Sequence, residues 1–132
     1  MAGRLTNVQH LDRAMPEKTL QERVLYRARR DGWRIMHVPR GSGGVTAKGT
    51  PQWRSTGGSG RGFPDLVLAR HRPDHRPDAA IGRVLFIELK REIGKTNTDQ
   101  DTWLQLLHDA GLEVYLWRPS DLRLGTVDAL LR

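Results

Sequence analysis

Val84-Leu85-Phe86-Ile87-Glu88-Leu89-Lys90 is the stretch on which the reading of the whole chain turns. Five apolar residues run straight into an acid and a base. Side chains two apart share a face of a strand, so Val84, Phe86, Glu88 and Lys90 point one way and Leu85, Ile87 and Leu89 the other. Both sets are apolar until the last residues. That pattern predicts a central strand with helices on both faces. The acid and the base at its end have two readings. Either the strand leaves the core there and its end is wet, or a carboxylate and an ammonium are held inside on purpose.

Working upstream, Gly62-Phe63-Pro64-Asp65-Leu66-Val67-Leu68 predicts a second apolar strand, over Asp65 to Ala69. Pro64 biases Phe63 toward an extended conformation and fixes the approach to the strand. Asp65 is then the first polar group on a buried strand, or a simple turn-former. Further upstream, Pro16 to Asp31 reads as a helix, with Pro16 in the first turn and Gly32 after the last periodic residue. With Glu17 at zero and about 100° per residue, Leu20, Gln21, Val24, Leu25 and Ala28 fall near 300°, 40°, 340°, 80° and 20°. Glu17 and Gln21 therefore lie in the middle of the apolar face, while Glu22 points away. A carboxylate aimed at a sheet costs several kcal/mol unless something pairs with it. The bland alternative is that Glu17 complements the helix dipole and stays wet. Downstream, Thr98 to Ala110 reads as a helix with Gly111 as its stop, and Gln100 heads the stripe of Trp103, Leu104 and Leu107. Thr98 with Asp101 three later resembles a capping box.

The remaining segments complete the order. Residues 1–15 have weak periodicity and no strong cap, and are expected to form a flexible arm before a single domain over 16–132. Trp33 to Pro39 is a short strand. Residues 39–62 hold 8 of the 14 glycines, the basic residues Arg40, Lys48, Arg54 and Arg61, and no acid. They read as a basic loop or loose hairpin around Trp53. The tandem His71-Arg72-Pro73-Asp74 and His75-Arg76-Pro77-Asp78 reads as a Pro-stiffened turn. Glu113 to Trp117 is a strand, and a last helix covers much of Asp121 to Leu131. The order αβ-loop-ββαβα predicts an α/β fold, a mixed central sheet flanked by helices.

Composition bounds the function. Across 132 residues, 22 Lys and Arg stand against 15 Asp and Glu, a net charge of +7. A basic surface suits a polyanionic partner. With no cysteine, disulfide scaffolds, zinc–thiolate sites and cysteine catalysis are excluded. No apolar run approaches the roughly 20 residues that span a bilayer, and the first residues lack the apolar segment of a secretory signal. A soluble, cytoplasmic protein is expected.

Pro64-Asp65 followed by Glu88-Leu89-Lys90 resembles the signature of the PD-(D/E)XK nuclease superfamily. The wider pattern is similar to its VRR-NUC family, in the compact stand-alone form often encoded by phages (which would place this chain in a host cytoplasm). The resemblance runs from Pro16 to Arg118. It is carried by Glu17 and Gln21, Gly32-Trp33, His37, the glycine-rich stretch, Gly62-Phe63-Pro64-Asp65-Leu66, Glu88-Leu89-Lys90, Gln100 and Val114-Tyr115-Leu116-Trp117-Arg118. Two features depart from the pattern: Leu116-Trp117-Arg118 replaces the Val-Arg-Arg that names the family, and the basic insert is long.

The resemblance implies a restriction-endonuclease-like core and metal-dependent hydrolysis of DNA. Asp65 and Glu88 offer hard carboxylate oxygens suited to Mg²⁺ or Mn²⁺. The family pattern adds the Leu89 carbonyl as a ligand, and Glu17 through water or at a second cation. Lys90, beside Glu88 on the strand face, would orient water and stabilise developing charge. Gln21 and Gln100 would hold Glu17 and Lys90 in place, unless Gln100 only satisfies a strand end. Arg40, Lys48, Arg54 and Arg61 would contact phosphates, and Trp53 would stack on a base or pack on the body. His37 either assists proton transfer or positions phosphate, or is structural. His71 and His75 read as solvated turn residues sooner than as ligands. Branched DNA such as four-way junctions and a two-fold homodimer are the expected partners. The competing reading is a non-catalytic nucleic-acid-binding module on a degenerate nuclease fold; a restriction-type nuclease would usually carry more chain.

Overall fold

The computed structural model describes residues 3–38, 59–74 and 77–132. Four strands form one mixed sheet in the order β1-β2-β3-β4: β1 (Arg34–His37), β2 (Leu66–His71), β3 (Gly82–Leu89) and β4 (Glu113–Trp117). β1 pairs β2 and β2 pairs β3 antiparallel, while β3 pairs β4 in parallel. The parallel pair needs a crossover, and the helix α3 (Thr98–Asp109) supplies it. The expected architecture, a restriction-endonuclease-like mixed sheet between helical layers, is the one found.

One layer is α2 (Glu17–Arg30) with the C-terminal helices α4 (Pro119–Arg123) and α5 (Thr126–Leu131). Its core joins Leu20, Val24 and Ala28 of α2 to Leu85, Ile87 and Leu89 of β3, all 0–1% exposed. The helical arithmetic therefore identifies the inward face of α2, and Glu22 is exposed as expected. α3 forms the other layer. Over β3 it covers only the C-terminal half. Phe86 is half-buried and Glu88 buried, but Val84 on the same face is 42% exposed. Burial of both faces of β3, expected over its full length, thus holds only near Glu88.

Two further expectations are corrected. The segment read as an arm carries a helix, α1 (Asn7–Ala14). Thr6 and Gln9 form a reciprocal capping box at its start, with the Thr6 N–H donating to Gln9 Oε1 at 2.8 Å. Asp12, buried, accepts from Arg123 Nε at 2.8 Å, which ties α1 to α4. An eight-residue helix is too short to persist alone, so this tertiary pair, invisible in local periodicity, supports it. The final helix is two helices. Gly125, at φ +80°, turns the chain through the left-handed region between α4 and α5.

Candidate active site

The site grows from the register of β2 and β3. Leu66 pairs with Ile87, so one step further along the same antiparallel register sets Asp65 across from Glu88. Directly opposed residues project from the same sheet face, here the face under α3. Bonds on both its backbone and its side chain hold Asp65: its carbonyl accepts from the Val38 N–H at 2.9 Å, and its Oδ2 from the Leu89 N–H at 2.9 Å. The Leu89 side chain is buried in the core on the other face, so only its backbone belongs to the site. Glu88 is 1% exposed. A carboxylate that deep costs several kcal/mol unless it is bonded and paired. Gln100 Nε2 donates to Glu88 Oε1 at 2.9 Å, and Lys90 Nζ stands 3.8 Å from the same oxygen.

Gln100 is aimed by the start of its own helix. The Asn97 N–H donates to Gln100 Oε1 at 3.0 Å, and the Gln100 N–H donates to Asn97 Oδ1 at 2.9 Å. With its oxygen committed to the cap, the Gln100 amide can turn only its NH₂ toward Glu88. The capping box is therefore Asn97 with Gln100, one residue earlier than the expected Thr98 with Asp101; Thr98 is already helical, and Asp101 instead accepts from the Thr96 hydroxyl.

The approach to Asp65 explains its motif. At Gly62, φ is +84°, and an added Cβ would lie 2.5 Å from the Asp99 carbonyl carbon and 2.6 Å from the Gln100 nitrogen. Only glycine lets this turn press against the first turn of α3. The Phe63 ring meets Trp103 edge-on at 4.9 Å and Phe86 at 5.9 Å, and Trp103 Nε1 donates to the Ser59 carbonyl at 2.9 Å. Pro64 is fully buried. One set of contacts thus fixes both Asp65 and Gln100.

Sequence reasoning missed three of these parts. Asn97-x-x-Gln100 was legible as a capping signature; the close approach at Gly62 and the role of Arg118 were not. Arg118 Nη1 donates to the carbonyls of Arg91 and Gly94 at 2.7 and 2.6 Å. It clamps the loop that leads from Lys90 to Asn97. In a sequence it is one arginine after a strand.

Asp65, Glu88, Lys90 and Gln100 are thus brought together. Glu17 and Gln21 are half-buried on α2, in the layer across the sheet. A three-residue return, 31–33, folds α2 back against β1. The N-terminal turn with Glu17 therefore lies over the end of the sheet toward which β1 runs, the end that carries Asp65. His37 is paired with Leu66 and shares its face, away from Asp65 and Glu88. Arg61 is exposed in the turn before Gly62. Arg40, Lys48, Trp53 and Arg54, and His75 of the tandem repeat, lie outside the described residues; His71 is exposed at the end of β2. Among the described residues, no three Asp, Glu or His side chains form a ready cation cage. The Asp65 and Glu88 carboxylates nonetheless offer hard oxygens of the type a divalent cation takes.

A mixed sheet between helical layers, with Asp65 opposite an acid-x-Lys strand end, defines a restriction-endonuclease-like nuclease. The VRR-NUC domain family matches residues 11–120. The chain belongs to the VRR-NUC family of nucleases. No curated protein and no solved structure matches it. Among the described residues, no helix is long and apolar enough to cross a membrane.

Proposed function

We propose that the chain is a divalent-metal-dependent DNA endonuclease that selects branched DNA, four-way junctions included, and works as a homodimer. The observation that carries the reading is Asp65 and Glu88 on one face of adjoining strand ends, with Lys90 Nζ 3.8 Å from Glu88 Oε1. Facing carboxylates repel each other, and Asp65, Glu88 and the Leu89 carbonyl are the groups that would hold a Mg²⁺ or Mn²⁺ ion to relieve that repulsion. The chemistry such an ion supplies when bound is polarisation of a phosphoryl oxygen and acidification of water.

The chain's own groups do the rest. Lys90 donates from Nζ to the attacking water and to phosphoryl oxygens as charge builds. Gln100 keeps Glu88 in one orientation through its capped amide. Glu17, at the α2 end of the sheet, completes the acidic set, and Gln21, one turn on, steadies it. Arg61, with Arg40, Lys48 and Arg54 of the insert, holds phosphates, and Trp53 stacks on an exposed base.

Incubation of supercoiled plasmid with Mg²⁺ or Mn²⁺, and with EDTA, tests the reading. Nicking with metal and none in EDTA is expected. Binding with no nicking under any metal would favour the non-catalytic module. Labelled duplex, flap, splayed-arm and four-way junction DNA at matched concentration then tests branch selection, and light scattering of the eluting protein tests the dimer.

A further inference from the structure

Charge left over after ion pairing is unevenly placed. On α2, Arg27 and Arg30 are engaged by Asp128 and Asp31. Lys18, Arg23 and Arg29 differ. All three are exposed, and among the described residues their side chains make no hydrogen bond or ion pair. At about 100° per residue from Glu17 they fall near 100°, 240° and 120°, on either side of Tyr26 near 180°; exposed Glu22, near 140°, lies among them, so three cations stand against one acid on this face. Tyr26 is 67% exposed. The stripe is about 16 Å long from Lys18 to Arg29, at 1.5 Å per residue.

The other layer is the opposite. α3 carries Asp99, Asp101 and Asp109 and no Lys or Arg. A polyanion therefore meets a basic helix on one side of the sheet and an acidic helix on the other. The helix dipole accounts for Arg29 in the last turn of α2, but it disfavours Lys18 in the first. Nor does the fold gain from an unpaired surface cation.

We propose that the solvent face of α2, through Lys18, Arg23, Tyr26 and Arg29, is a backbone-contacting surface for the duplex that flanks the cleavage point. The duplex lies over the α2 layer and not across α3. The proposal rests on the nuclease reading, and it deepens it by assigning the path of the substrate. Lys18 adjoins Glu17, so the stripe runs on from the α2 end of the candidate site. Each cation takes a phosphate by releasing a counterion, with no reading of bases.

Fluorescence anisotropy with a labelled duplex of about 30 base pairs, the full chain, and EDTA to prevent cleavage tests this. The variant Lys18→Gln/Arg23→Gln/Arg29→Gln is compared with Thr102→Glu/Gln105→Glu/His108→Glu on the exposed side of α3. Both change the net charge by the same amount. The α2 variant is expected to weaken binding at least tenfold at low salt and to lower the slope of log affinity against log salt by about 3. The α3 variant is expected to change affinity less than threefold and to leave the slope intact. Equal losses in both, or no loss from α2, would overturn the proposal. Should the triple variant fail to fold, Arg23→Gln alone is expected to lower the slope by about 1. The two readings fail separately. A duplex-binding wild type whose slope depends on α2 but which never nicks with Mg²⁺ or Mn²⁺ ends the nuclease reading and keeps this surface. A nicking α2 variant with wild-type affinity does the reverse.

Discussion

At its N-terminal end β3 presents Arg83 to Glu113 of β4 through two parallel bonds of 2.6 Å, with the Tyr115 hydroxyl donating to the same carboxylate at 2.8 Å. At its C-terminal end it presents Glu88 to a neutral amide at 2.9 Å and an ammonium at 3.8 Å, with Asp65 alongside. The first arrangement is what stability alone would choose. A planar guanidinium meets a carboxylate in matched geometry, packs over Trp33 at 5.5 Å, and spends its remaining reach on the Leu130 carbonyl. The Arg83 bond holds the Glu113 carboxyl below its ordinary range, and burial pushes the Tyr115 phenol up. The second arrangement sets two acids side by side, with a backbone N–H, an amide and a lysine at 3.8 Å among their neighbours. One strand thus carries a matched guanidinium–carboxylate pair at one end and two neighbouring carboxylates at the other. The difference accords with the proposal that the C-terminal end is the one built for chemistry.

The sharpest way to break the contrast is Lys90→Ala. We expect cleavage of plasmid to fall by about a thousandfold or more, as for loss of a preorganised charge, with DNA binding in EDTA retained. If binding and cleavage fall together, Lys90 is structural and the two ends are alike. Gly62→Ala probes the packing behind the site. The clash with Asp99 and the positive φ should destabilise the fold by about 2 kcal/mol or more, with a loss of cleavage that follows from displacing Asp65 and Gln100. A neutral result in denaturant melts would show that the turn can lift away from α3 without cost.

The smallest effects belong to the structural end. Glu113→Gln should cost about 1 kcal/mol, since a side chain one-third exposed is partly screened, and it should leave cleavage intact. The sign of its pH dependence follows from the direction of the shift. Glu113 has a lowered folded-state pKa, so its contribution is fully present above the ordinary carboxylate pKa and is lost as pH falls through the folded value. Wild type should therefore lose stability on acidification faster than Glu113→Gln in that window. Parallel curves in urea titrations across acid pH would remove the pair from the stability account.

Periodicity was enough to find α2, α3, the four strands and the inward face of α2, because each is a local pattern of apolar residues meeting one neighbour. It picked out Asp65, Glu88, Lys90 and Gln100 as candidates for the same reason in reverse: each is a polar residue where the pattern calls for an apolar one. It passed over α1, whose stability comes from Asp12 meeting Arg123 far along the chain, and it ran α4 and α5 together across Gly125. Residue spacing along the chain determined that acids, a lysine and an inward glutamine exist on neighbouring elements. Only the folded arrangement decided that Asp65 faces Glu88, that Asn97 turns the Gln100 amide toward it, that Arg118 clamps the connecting loop, and that His37 lies on the opposite face. Those facts depend on strand register and on contacts between residues distant in sequence, and neither is carried by the local alternation that makes a strand or a helix legible.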